Sequence, residues 1–156
     1  PAAYWNLAGA VYAYVFSNLA ELGIEVAGES QLMGYPSQFP SVTMVDWNTG
    51  APNARLRVLE LLKTRLSPED VVIKTNPNPF SRSRNFHIQA FRGKDGTQKL
   101  LLISKKNMPV KLNLSGFDGA TVALVDQETA GGPIREETLS DEEYVLHGYA
   151  VAIVTK

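Results

Sequence analysis

The first twenty residues, Pro1 to Ala20, carry no charged side chain. As a helix they would cover roughly 30 Å, the thickness of a bilayer core. Asn6, Ser17 and Asn18 interrupt the stretch, and Tyr4, Trp5, Tyr12 and Tyr14 are scattered along it rather than gathered into two interfacial belts. Ala and Gly are abundant and Leu is sparse. The reading is a buried helix, with no membrane span. Leu7, Val11, Val15, Leu19 and Leu22 form one stripe, while Ala8, Tyr12 and Phe16 occupy another face. A helix apolar on most sides needs partners on most sides. The rest of this chain, or another chain, must cover it.

Beyond this helix the chain divides into two parts. Gly23 suits the C′ position of the first helix. A strand is predicted over Ile24 to Met33, then a loop from Gly34 to Ser41 punctuated by Pro36 and Pro40. Val42 to Trp47 is a short apolar run, and Asn48-Thr49-Gly50 turns the chain. Pro52-Asn53-Ala54 opens a second helix with a stripe of Leu56, Leu59, Leu62 and Leu66, ending near Ser67-Pro68. Helix, strand and helix make a piece of the kind repeated in a barrel or doubly wound sheet. After Pro68 the period changes. Short strand-like runs at 71–73, 86–91, 99–104, 110–114, 120–126, 134–139 and 144–155 alternate with turn clusters, which indicates an antiparallel sandwich. Val110, Leu112 and Leu114 point one way, Lys111 and Asn113 the other. The fold class is α/β plus all-β: residues 1–67 as the α/β part, residues 68–156 as the sandwich.

Composition excludes several chemistries. Fifteen basic against sixteen acidic residues leave a net charge of −1, too little positive charge for a general nucleic-acid binder. The absence of cysteine removes disulfides, a thiolate nucleophile and a Cys-based zinc site. His87 and His147 stand 60 residues apart without ligand-like spacing, so no metal site is expected. No phosphate-cradling Gly loop or nucleophile elbow is present. Glu136-Glu137 and Asp141-Glu142-Glu143 read as a solvated hairpin end, and Arg82, Arg84, Arg92 and Lys94 as a solvated sheet edge. Asn113-Leu114-Ser115 is a glycosylation sequon at an outward position. The chain opens with Pro1 and no basic segment leads into its apolar stretch, so we expect part of a longer translation product and see no targeting signal.

The most informative chemistry lies between Ile24 and Asp46. Glu29 and Gln31 share parity at the end of the predicted strand, and the loop beyond brings Tyr35, Gln38 and Phe39. Ligands meet the C-terminal ends of barrel strands. A carboxylate, amides and an aromatic ring suit sugar hydroxyls and a sugar face, so Glu29, Gln31, Tyr35 and Gln38 are the candidate substrate-binding residues. The competing reading makes Glu29 a scaffold ion-pair partner and Tyr35 loop packing.

Leu22-Gly23-Ile24-Glu25-Val26, Gln31, Gly34, Val45-Asp46, Asn48, Pro52 and Leu61-Leu62-Lys63 together resemble the end of the barrel in heparanase-type enzymes, glycoside hydrolase family 79, and in the related families 39 and 51. Lys99 to Ser104, Val110 to Leu114 and the closing Gly148 to Val154 are similar to their C-terminal sandwich. The resemblance covers nearly the whole chain. It implies that the first part is the seventh helix, eighth strand and eighth helix of a (β/α)8 barrel. The two catalytic glutamates of a retaining mechanism would then lie on an upstream segment, and no catalytic residue falls within this chain. Gln31 is the nearest match to a sugar-lining glutamine of the family, although an ungapped alignment places Ser30 there. The 35–39 loop differs from the family's uronate-binding loop, so uronate specificity does not carry over.

The resemblance implies the C-terminal portion of a secreted glycoside hydrolase acting on a polysaccharide or glycoconjugate. Its partner would be the upstream barrel segment of the same precursor, or other copies of the chain. The alternative is a noncatalytic structural or carbohydrate-binding protein, assembled with other chains, that keeps this architecture.

Overall fold

The computed structural model describes residues 2–28, 32–33, 43–74 and 84–156. Among these described residues two helices, α1 (Ala2–Glu21) and α2 (Ala54–Arg65), precede eight strands. These are β1 (Val71–Ile73), β2 (Phe86–Arg92), β3 (Gln98–Ser104), β4 (Val110–Asn113), β5 (Thr121–Val125), β6 (Arg135–Thr138), β7 (Glu143–Leu146) and β8 (Val151–Thr155). An α/β piece thus leads into an antiparallel β-sandwich, as the change of period predicts.

Six strands form one sheet in the order β1-β2-β3-β8-β5-β6, and β4 pairs with β7 in a separate two-stranded sheet. Every ladder is antiparallel. β8, the last strand in sequence, lies in the middle, between β3 and β5. The run expected over 144–155 is two strands, because Tyr149 takes a left-handed backbone (φ 55°) and turns the chain between β7 and β8.

Alternation along the central strands divides the core in two. Leu102, Val122, Leu124, Ala152 and Val154 face the β4–β7 pair, where Leu112, Leu114, Tyr144 and Leu146 meet them. Leu101, Ile103, Ala123, Val125, Val151 and Ile153 face the helices. α1 lies over β3 and β8, α2 over β5 and β8, and the helices also pack on each other. Lys111 and Asn113 are exposed between the buried Leu112 and Leu114, the phase that the sequence predicts.

Both helices end and begin as their residues dictate. Gly23 (φ 75°) closes α1: its N–H donates to the Ala20 carbonyl and the Ile24 N–H to the Leu19 carbonyl, both at 3.0 Å. Asn53 caps α2, its side chain accepting from the N–H groups of Arg55 and Leu56.

The sequence leaves the α1 stripe to be covered by this chain or by another, and this chain leaves Leu7, Val11, Val15 and Leu22 exposed. The predicted α1 stripe of Leu7, Val11 and Val15 faces outward, and Asn6, Gly9, Ala10, Ala13 and Ser17 are buried instead. Val11 and Val15 are 53% and 48% exposed, against 1% for Asn6 and 0% for Ser17. The cause is close approach: a Cβ on Gly9 would stand 2.9 Å from Val58 Cγ2 and 3.3 Å from the Ala54 carbonyl oxygen. Only small side chains fit that contact. On α2 the buried face is Ala54, Val58, Leu61 and Leu62, so the predicted leucine stripe is rotated, with Leu56, Leu59 and Leu66 only partly covered.

The strand expected over Ile24 to Met33 is a second departure. Residues 24–28 are exposed and belong to no ladder, and residues 29–31 fall outside the described residues. Pairing reduces to single bridges, Met33 with Val45 in parallel and Val45 with Pro52 antiparallel. A strand takes its hydrogen bonds from neighbours, and no strand among the described residues flanks residues 24–28.

Candidate functional site

All four sequence-derived sugar-binding candidates, Glu29, Gln31, Tyr35 and Gln38, lie outside the described residues. The described residues that border them in sequence form a hydrogen-bonded frame. The Leu32 carbonyl accepts from the N–H groups of Met44 (3.2 Å) and Val45 (3.0 Å). Asn53 ties this frame to α2: its backbone N–H donates to the Met44 carbonyl at 3.0 Å and its Nδ2 to the Thr43 carbonyl at 2.8 Å. The capping side chain therefore also fixes where the chain enters the helix. Asp46 closes the next turn, with Oδ1 accepting from the N–H groups of Asn48 and Thr49 and from Thr49 Oγ1. These bonds, those from Thr49 first, hold its carboxyl below the usual range. Trp47 sits in this turn, about half exposed.

A groove of about 960 Å³ opens between α1, residues 24–28 and α2. Tyr4, Leu7, Val11 and Val15 of α1 line one wall, Leu59, Leu62 and Leu66 the other, and Ile24 and Val26 the rim. Arg55, Lys63 and Glu25 supply its charged border. Burial pushes the Tyr12 hydroxyl upward in pKa, and the neighbouring Arg55 guanidinium opposes that effect. Periodicity finds the leucine and valine stripes that converge here, and for α1 it leaves open whether this chain or another supplies the cover.

At the other end of α1, Ser17 and His87 meet, Oγ to Nε2 at 2.8 Å. Tyr14 stands edge-on to the imidazole, with Lys105 Nζ 5.1 Å from the Tyr14 ring centre. Burial, then Lys105, lowers the His87 pKa, while Glu21 raises it. Ser17 is fully buried, so the pair ties α1 to β2 rather than presenting a nucleophile. Seventy residues separate the two, and no sequence spacing announces the contact.

The carboxylate-rich segments are held structurally. Glu136 pairs with Arg65, and Glu142 accepts from Ser115 Oγ and the Gly116 N–H. Buried Asp126 is held by Arg135 at 3.0 Å and by the N–H groups of Glu128 and Thr129. Lys94 approaches Glu69 at 3.6 Å on the surface, and Arg84 and Arg92 are exposed. Arg82 lies outside the described residues. Among the described residues no three His, Cys, Asp or Glu side chains gather as a metal site, and no helix is long and apolar enough to cross a membrane. Asn113 is exposed at the end of β4.

No family model matches the chain, and no curated protein matches its sequence. Solved structures match its fold. A GH30 endoxylanase from Clostridium papyrosolvens C71 aligns over 71% of this chain and 29% of its own, with a TM-score of 0.50 and 14% identity. The catalytic domain of GH30 xylanase C from Talaromyces cellulolyticus aligns over 74% and 28%, with 0.50 and 17%. A conserved exported protein from Bacteroides fragilis aligns over 81% and 26%, with 0.52 and 13%. The fold is one shared with part of each of these structures. At these identities the likeness is one of fold, and the chain spans less than a third of the length of each of these structures.

Proposed function

We propose that this chain is the C-terminal portion of a secreted glycoside hydrolase, most like family 79, acting on a polysaccharide or glycoconjugate. Residues 1–67 would complete a (β/α)8 barrel and residues 68–156 would form its sandwich. The observation that carries the reading is the groove, where Leu7, Val11 and Val15 of α1 and Leu59, Leu62 and Leu66 of α2 converge on a space that no strand among the described residues fills. The missing barrel strands and helix are the occupant this reading supplies. The fold shared with GH30 structures supports the same origin.

Hydrolysis with retention needs two carboxylates about 5–5.5 Å apart. In this reading both stand on the upstream segment, and Glu29, Gln31, Tyr35 and Gln38 contribute only sugar contacts. No metal or organic cofactor enters the reaction. The noncatalytic alternative is favoured by the same apolar face, since a second copy of the chain could cover it.

Co-expression with the upstream segment tests the reading. The isolated chain is expected to hydrolyse no aryl glycoside, and the reconstituted pair to do so. Turnover by residues 1–156 alone, abolished by Glu29→Gln, would sink it. A stable homo-oligomer that buries α1 and remains inert beside the upstream segment would favour the structural alternative.

A further inference from the structure

We infer that Asn113 carries an N-linked glycan, a modification that rests on the proposed secretion. The chain has nine asparagines, and Asn113 alone is followed two residues later by Ser or Thr with no intervening proline. The structure places that asparagine where a glycan fits. Asn113 ends β4 opposite Glu143 of β7, and Leu112 and Leu114 on either side are buried, so its amide projects away from the core. Its side chain makes no hydrogen bond among the described residues, and Ser115 is also exposed.

The surrounding face also suits a sugar. Val145, diagonal to Asn113 across the pair, is 41% exposed beside Lys111 and Glu143. The apolar side of a first GlcNAc ring would cover it. The two-stranded sheet leaves one side of each strand unpaired, and a bulky glycan there obstructs strand addition. The six-stranded sheet stands between this face and the helices. A glycan on β4 therefore leaves the groove free for its partner.

In the modification, Nδ2 of Asn113 forms a bond to the anomeric carbon of a lipid-linked oligosaccharide. The bond from that carbon to the diphosphate oxygen breaks, the polyprenyl diphosphate leaves, and Nδ2 gives up one proton to a base of the host transferase.

The test is expression of the full chain behind a secretory signal in a eukaryotic cell, with a C-terminal Asn-Gly-Thr tag as an internal reporter of lumenal entry. The unaltered chain and Ser115→Thr should carry two glycans removable by peptide N-glycosidase. Asn113→Gln and Ser115→Ala should carry only the tag's. A modified tag beside an unmodified Asn113 in both the unaltered chain and Ser115→Thr overturns the inference. Because the signal is supplied, that result leaves the proposed secretion of the natural protein to a separate measurement, the location of the protein in its source.

Discussion

The two faces of the six-stranded sheet are built from the same strands and finished differently. Toward β4 and β7, Leu102, Val122, Leu124, Ala152 and Val154 meet Leu112, Leu114, Tyr144 and Leu146, and that layer closes within the chain. Toward the helices, Leu101, Ile103, Val125 and Ile153 meet the small residues of α1, Trp5, Tyr12 and Phe16 pack partly against that layer, and Leu7, Val11 and Val15 turn away. A face completed by its own chain buries its largest side chains. The helix face spends small side chains on close approach and leaves part of its apolar stripe exposed.

The sharpest test of this contrast is a pair of truncations. Leu124→Ala should cost about 2–5 kcal/mol in urea unfolding, because it leaves a cavity in the closed layer. Val11→Ala should stay within about 0.5 kcal/mol in the isolated chain. Similar losses at both sites would mean that α1 is covered after all. In the reconstituted pair, Val11→Asp should then prevent association.

Backbone proximity sets the next effect. A Cβ on Gly131 would stand 2.2 Å from the Pro52 carbonyl oxygen, and the Gly131 carbonyl accepts from Arg57 Nε at 2.9 Å. Gly131→Ala should cost about 1–3 kcal/mol by displacing the 126–133 turn from the start of α2. An unchanged melting temperature would show that this contact does not hold the helix layer in place.

Asn6 offers a test of opposite sign. It is buried on α1 with neither amide atom hydrogen-bonded. Removing an unsatisfied buried polar group returns its desolvation cost, about 1–3 kcal/mol, less the packing lost. Asn6→Ala should therefore be neutral or stabilising in thermal unfolding, unlike truncations in the closed layer. A clear loss of stability would mean the amide has a partner.

The smallest effect is in pH. The folded state lowers the His87 pKa below its ordinary 6.5, so the unfolded chain takes up the proton first. The stability contribution is complete above 6.5 and falls as pH drops through the window below it. Thermal melts should decline more steeply with acid in the unaltered protein than in His87→Gln, and parallel profiles would show that the Ser17–His87 tie is insensitive to charge.

Apart from the 144–155 run, the strands of the sandwich were legible as short apolar runs between turn clusters, and β4 also alternates. Leu112 between Lys111 and Asn113 fixes its own phase, and the turns around Gly96 and Gly119 mark their own ends. The helices were legible as helices: the Asn53 cap and the Gly23 stop are local chemistry. Their orientation was not. Hydrophobic periodicity locates a stripe without saying what it meets, and at Gly9 the deciding quantity is the distance between two backbones. For the candidate site, the sequence supplies residue types at 29, 31, 35 and 38, which lie outside the described residues, whereas the structure supplies only the Leu32–Asn53 frame. Ser17 and His87 were invisible because a single hydrogen bond across seventy residues leaves no pattern.

The position of β8 has a consequence for the order in which the molecule can be made. Residues 151–155 supply the middle strand of the large sheet, joining β3 to β5 and giving both helices part of their floor. During synthesis, therefore, β1-β2-β3 and β5-β6 emerge as two separate half-sheets with exposed ladder edges. α1, made before them, waits with both its small and its large faces in water until the final strand threads between the halves. Such long-range closure is slow and exposes sticky surface. A nascent chain that has not yet made residues 151–155 would hold both helices and no continuous sheet, and in that interval α1 has no complete floor to close on.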